Sequence, residues 1–417
     1  MLLGQLKPML GVNRLPLQAK LIAGNLFNNL VSLVIVFFAA KLMTHAEYFK
    51  VGIITTIVAT YSIILDFGFN TSLVKFSIED KDFRYKAFSS VLIIKLLLTL
   101  IISLAVVTLN TKSLFPGISV SELVWSIWFG WALSVWTSLR AFNQADGSLE
   151  KSVRRIYFYA VSRVTLAILF LYLQQINALS LNLTLYFIPL FLAGIFDAIF
   201  IVKSSNLKLF TDLDRERLVR AFKYGLPVWL SAILYIILTR ILVIYEANIG
   251  DKMTSSSFNL ALSYVAFVSL LNDSFRYILL PKAVSSKNKN SILDNWHSIN
   301  QKVPLLFALL ILSLIIFAIF NYIIFERKYP HSTIFLIVIY LSYSINSIIG
   351  IYNIFAHSIS NPKIDFISNI IRTVLLFIIL IFIKPNALIS VILFGIILVT
   401  TEILGHVFLR RNILRIQ

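Results

Sequence analysis

Charged residues recur as matched pairs inside stretches of this chain that are otherwise apolar. Asp66 lies nine residues before Lys75, and Asp273 nine before Lys282. Arg163 lies nine residues after Arg154, and Arg372 nine after Lys363. Asp197 and Glu402 fall in the sixth and twelfth apolar stretches. A charge in hydrocarbon is costly, so it faces a bundle interior or a watery cavity and marks a path for ions or charged cargo. Arginine keeps its proton and presents a planar fork that fits phosphate. Arg163 and Arg372 are therefore candidates for holding an anionic group. They are equally candidates for ion pairs with the next segment, Arg163 with Asp197 and Arg372 with Glu402, and the two uses could alternate between states. Asp66 and Asp273 are candidates for carrying a proton, binding a cation or balancing charge. Lys95, nine residues after Lys86, joins them by lining a cavity or reaches the interface by snorkelling. Arg240 either extends a cationic path outward or pairs with Glu246. Nine residues of helix rise ~13.5 Å, near the middle of a ~30 Å hydrocarbon core. Asp66, Lys95, Arg163, Asp273 and Arg372 thus form a belt near the midplane.

The elements that must carry this belt are membrane-spanning helices. The chain is 59% hydrophobic and 13% charged, more apolar surface than a soluble domain of 417 residues can hide. Twelve apolar segments are long enough to cross a bilayer as helices. They run at about 21–41, 51–74, 87–109, 119–141, 155–173, 181–202, 223–245, 256–281, 303–325, 332–356, 364–383 and 386–409. Transmembrane strands would be about half this length and alternate in polarity. The first segment continues past the length of a cleavable signal and reads as a retained helix. The expected fold is an all-α integral membrane protein of twelve helices. Its two six-helix lobes, 1–202 and 223–417, are joined by a 203–222 linker that resembles a surface amphipathic helix. The stretch 282–302 reads as a polar loop, and Pro227 and Pro304 fall near helix starts.

Net charge is +18, and its location matters more than its size. With both termini placed inside, 25 Lys and Arg fall on inward loops and termini and 7 on outward loops. That is the orientation signature of a membrane protein, and it takes the place of a nucleic-acid partner as the reason for the basic balance. The basic loops serve orientation first, and contact with anionic headgroups of membrane lipids is the second reading. Asp66 and Asp273 differ by 207, Arg163 and Arg372 by 209, and Asp197 and Glu402 by 205, as parallel repeats about an axis along the membrane normal would give. Trp125, Trp128, Trp131 and Trp136 crowd the fourth segment, as interface anchors and helix packing or as faces for sugar rings.

Several chemistries lack their residues. With no cysteine there are no disulfides, thiolate metal sites or thiol nucleophiles. No Walker A loop, GxGxxG or HExxH occurs, and the histidines show no metal spacing. Neither a bound cofactor nor an enzymatic role is expected, and coupling to H+ or Na+ stays open as a driving force.

The chain resembles the polysaccharide transporters of the multidrug/oligosaccharidyl-lipid/polysaccharide superfamily, and most nearly the bacterial O-antigen flippases of the Wzx type. The resemblance rests on twelve spans and on three motifs. They are Ala39-Ala40-Lys41-Leu42-Met43-Thr44-His45-Ala46-Glu47-Tyr48 at the first outward turn, Leu65-Asp66-Phe67-Gly68-Phe69 in segment two, and Lys223-Tyr224-Gly225-Leu226-Pro227 opening segment seven. Phe49-Lys50 departs from the family, which often has Gly after the Tyr. The resemblance implies a flippase that moves an undecaprenyl-pyrophosphate-linked oligosaccharide across the bacterial inner membrane by alternating access, with both termini cytoplasmic. It further implies lipopolysaccharide biosynthesis as the setting, with a polysaccharide polymerase and a chain-length regulator as partners. Arg163, Arg372, Lys95 and Arg240 would then contact the cargo; the resemblance assigns no coupling residue, and coupling or charge balance at Asp66, Asp273, Asp197 and Glu402 stays a reading of the charges themselves. The competing readings are a cation-coupled multidrug exporter of the same superfamily and a membrane enzyme of envelope-glycan assembly.

Overall fold

The computed structural model describes residues 17–79, 81–108, 117–145, 149–175, 215–249, 252–285, 289–355, 363–382 and 387–414, with a few positions between 188 and 203. Every regular element among them is helical. The first half holds α1 (Leu17–Leu42), α2 (His45–Ile64), α3 (Phe69–Glu79), α4 (Lys81–Thr108), α5 (Val120–Ala145) and α6 (Leu149–Gln175). The second holds α7 (Arg215–Ile249), α8 (Lys252–Ser285), α9 (Lys289–Asn300), α10 (Val303–Ile324), α11 (Ser332–Gly350), α12 (Lys363–Phe382) and α13 (Ala387–Leu414). Seven helices among the described residues are long and apolar enough to cross a membrane by composition alone. Helix is the form such segments must take, because it satisfies every backbone group within one segment when no water is at hand.

The halves are built alike. In the first, α1 packs on α6, α2 on α5, and α4 on α5. In the second, α7 packs on α12, α8 on α11, and α10 on α11. Each set joins the first span to the fifth, the second to the fourth and the third to the fourth, which is the internal repeat expressed as packing. Helices α4 and α10 stand at the periphery and turn Leu97, Ile101, Leu104, Leu305, Ile316 and Ile323 outward, toward lipid. The halves meet where α8 packs on α1 and α2, and where α7 packs on α2 and α3. One hydrophobic core runs through both, bringing Tyr48, Leu65 and Phe129 together with Phe258, Tyr264 and Tyr340.

Three local expectations are corrected. The 51–74 segment is two helices separated by a turn at Leu65–Gly68, not one. Phe67 and Gly68 take left-handed φ values of 51° and 69°, which end α2. The 282–302 stretch is not a loop throughout, because 289–300 forms α9. Ile292, Trp296 and Ile299 share a face of that helix and are buried against Tyr352, Phe355 and Leu409. Helix α7 begins at Arg215, so Pro227 lies inside it, while Pro304 does sit in the first turn of α10.

Candidate central cavity

A cavity of about 640 Å³ lies between the halves. Its walls come from α1, α2, α5 and α6 on one side and α7, α8 and α11 on the other. Arg163 and Arg240 are its charged lining residues, one from each half, and the described lining contains no carboxylate. Aromatic rings make up much of the rest, among them Phe129, Trp136, Tyr159, Tyr235 and Tyr343.

Arg163 is held by the first helix. Its Nη1 donates to Asn28 Oδ1 at 3.1 Å and to Ser32 Oγ at 2.8 Å. Its guanidinium carbon stands 5.3 Å from the centroid of the Tyr159 ring, one turn back on α6. Tyr159 stacks on Trp136 with centroids 4.7 Å apart, and the Arg140 guanidinium lies 4.9 Å from the Trp136 ring. The result is a column in which two cations bracket two aromatic rings, each contact favoured by the ring quadrupole. It fixes the orientation of Arg163 while leaving its Nε without a hydrogen-bond partner. Arg240 projects from α7 beside Thr239, and Tyr343 of α11 lines the same wall. No ion pair joins either arginine to a carboxylate among the described residues.

The other expected belt members lie elsewhere. Lys95 does not line the cavity: it is fully buried within the first half. Its Nζ donates to Ser134 Oγ at 2.9 Å and Ser138 Oγ at 2.6 Å, and lies 3.7 Å from Asp66 Oδ1. Asp66 itself sits in the turn between α2 and α3. Arg372 is likewise outside the cavity. It forms a buried ion pair with Glu402, and its Nε donates to Thr401 Oγ1 at 2.6 Å and its Nη1 to Asn369 Oδ1 at 2.9 Å. Asp197 lies outside the described residues. So does the side chain of Asp273, whose backbone belongs to α8. The equivalent arginines of the repeat therefore have different partners: one faces the cavity and one is neutralised inside its own half.

Residues not singled out from the sequence complete the site. Asn28 and Ser32 had a readable signal, since Asn25, Asn28, Asn29 and Ser32 follow the i, i+3, i+4, i+7 spacing of one helix face in an apolar segment. Tyr159 and Tyr343 had none, because aromatic residues occur on every face of these helices.

The fold places the chain among known proteins. It superimposes on a multidrug resistance MATE family transporter of the MOP superfamily in an outward-facing conformation, with TM-score 0.70, 14% identity and 97% of both chains covered. A MATE protein in a straight conformation gives TM-score 0.70 at 15% identity, covering 97% of this chain and 95% of that one. A MOP superfamily transporter from Pyrococcus furiosus, described as having a binding pocket of reverse polarity, gives TM-score 0.67 at 14% identity with 97% of both chains covered. The architecture is therefore that of the MATE-like membrane proteins. Residues 19–272 match the model of the polysaccharide biosynthesis protein family, and the chain belongs to that family. A search of curated proteins returned no match.

Proposed function

We propose that this protein is a flippase for a lipid-linked oligosaccharide carrying a diphosphate, an O-antigen repeat unit being the cargo its family resemblance favours. The observation that carries the reading is the charge of the cavity. Arg163 and Arg240 stand on opposite walls with no carboxylate in the described lining. Guanidinium groups bind phosphate through paired N–H donors, and an apolar, aromatic wall of low dielectric constant strengthens that attraction. The polyprenyl tail stays in lipid while the head group passes between the halves. Movement is by alternating access, from the cytoplasmic to the outer leaflet of the bacterial inner membrane, with both termini cytoplasmic. The pair of buried Lys95 and partly exposed Asp66 is the proposed place for H+ or Na+ coupling, since it lies outside the cargo path.

A cation-coupled drug exporter would need acidic residues on these walls. The test uses a strain deleted for the gene. Lipid-linked oligosaccharide should accumulate on the cytoplasmic side and surface polysaccharide should fall, and the gene should restore both. Arg163→Ala and Arg240→Ala should each fail to restore flipping although the protein inserts, with Arg→Lys recovering part. Full restoration by the double alanine variant would remove the arginines from the mechanism. Unchanged surface glycan with export of organic cations would favour the drug-exporter reading.

A further inference from the structure

The halves touch at both ends of the cavity, and the two contacts differ in kind. At the α2–α3 turn the contact is backbone against backbone. A Cβ on Gly68 would lie 2.1 Å from the carbonyl oxygen of Gly225, so only glycine admits this approach. Trp229 Nε1 donates to the carbonyls of Ile63 and Ile64 at 3.0 and 3.1 Å, and Ser72 Oγ donates to Ala221 O at 2.8 Å. At the opposite end the second half reaches across with the turn between α10 and α11. Lys328 Nζ donates to Ala40 O at 2.8 Å, Lys41 O at 3.0 Å and Met43 O at 2.7 Å. The Tyr329 hydroxyl donates to Ala40 O at 2.8 Å.

The acceptors explain the lysine. Helix α1 ends at Leu42, and its last carbonyls have no partner within the helix. A cation at that position also meets the negative end of the helix dipole. Lys328 is therefore the C-terminal cap of α1, supplied by the other half of the molecule. The turn bearing it is stiff. The Glu326 carboxylate accepts the N–H groups of His331 at 2.8 Å and Thr333 at 3.0 Å and the Thr333 hydroxyl at 2.6 Å. Tyr329, fully buried, packs its ring against His45 and Tyr48 of α2. A rigid arm on one half thus grips a helix end on the other through the buried Tyr329 and the partly exposed Lys328, whose bonds water can replace when the arm withdraws. The side-chain donors at the glycine contact, Trp229 and Ser72, are by contrast neutral.

We propose that Lys328 is the latch of the gate at this end: it caps α1 while the end is closed and lets go when the cavity opens there. The proposal rests on the reading that the cavity opens alternately to the two sides, and not on the identity of the cargo. The cysteine-free chain allows a direct test. Ala132→Cys places one thiol on the cavity wall, and a membrane-impermeant maleimide is added from either side in right-side-out and inside-out vesicles. Three charge-assisted hydrogen bonds are lost in Lys328→Gln. Labelling from the side of the 325–331 turn should rise roughly tenfold, with labelling from the other side unchanged or lower. Lys328→Arg should stay near the parent, and Tyr329→Phe, which folds with one bond fewer, should give a smaller rise on the same side. Labelling of Lys328→Gln at the parental rate, or a rise equal on both sides, overturns the latch. A parent labelled from one side only, in every condition, overturns alternating access itself and the latch with it.

Discussion

Removing one partner of the Arg372–Glu402 pair should destabilise the second half far more than removing both. The two residues are 4% and 3% exposed, so neither charge has water to fall back on. Breaking a buried ion pair by truncating one member costs about 3–5 kcal/mol, because the other charge is left buried and unpaired. In Glu402→Ala the guanidinium keeps Thr401 Oγ1 and Asn369 Oδ1, while Asn353 Nδ2 loses its bond to Glu402 Oε1. Those remaining bonds place the cost near the lower end, about 3 kcal/mol. Arg372→Met with Glu402→Met removes both charges at similar volume and should come within about 1 kcal/mol of the parent. The assay is reversible unfolding of the purified protein in detergent, run as a double-mutant cycle. A coupling energy of about 2 kcal/mol or more is the expected result. Because the pair stands outside the cavity, the double Met variant should also keep transport activity. Single variants as stable as the parent would refute the reasoning. So would a double variant that is stable but inactive, since that would return Arg372 to the cargo path.

Gly68→Ala should weaken the contact at the α2–α3 turn. Its φ of 69° disfavours any side chain by about 1–2 kcal/mol, and its Cβ would overlap the Gly225 carbonyl. Maleimide access to a cavity cysteine from that side should rise, and unchanged access would contradict the packing. The Glu326 carboxyl supplies a pH prediction. Burial alone would raise its pKa, but hydrogen bonds from Thr333, His331 and Ser332 outweigh that and hold it below the ordinary value of 4.5. Its contribution to holding the 325–331 turn is therefore complete above pH 4.5 and fades as pH falls through the lower folded value. Glu326→Gln should remove this acid sensitivity, measured as protease cleavage of the turn between pH 6 and pH 3.

Much of the architecture was legible because membrane helices announce themselves by length and apolarity. The repeat offsets near 207 correctly matched spans that pack alike. The rotation of each helix about its axis was not legible. Depth follows from counting residues, so Lys95 and Arg163 read as members of one belt, yet Lys95 turns into its own half and Arg163 into the cavity. Pairing between segments twelve and eleven could be proposed from spacing, and Arg372 with Glu402 shows it. The α2–α3 turn was hidden because Asp66-Phe67-Gly68 sits inside an apolar run. The chain turns there through the left-handed φ of Phe67 and Gly68, beside a close approach to Gly225, far away in sequence. Helix α9 was obscured by its polar composition, although Ile292, Trp296 and Ile299 carried the i, i+4, i+7 signal.

The interrupted second span also bears on how the protein is made. The Ile63 carbonyl near the end of α2 also accepts the Asp66 N–H, but the Ile64 carbonyl finds its donor on Trp229, whose indole belongs to α7 in the other half. A carbonyl left without a donor in an apolar setting costs on the order of 1–3 kcal/mol. During synthesis the first half must reach the bilayer with this debt outstanding, since more than 150 residues separate Ile64 from Trp229. The two halves are thus alike in plan but unequal in biogenesis. A severed first half should be a better substrate for membrane quality-control proteases than the whole chain, and supplying the second half as a separate polypeptide should protect it.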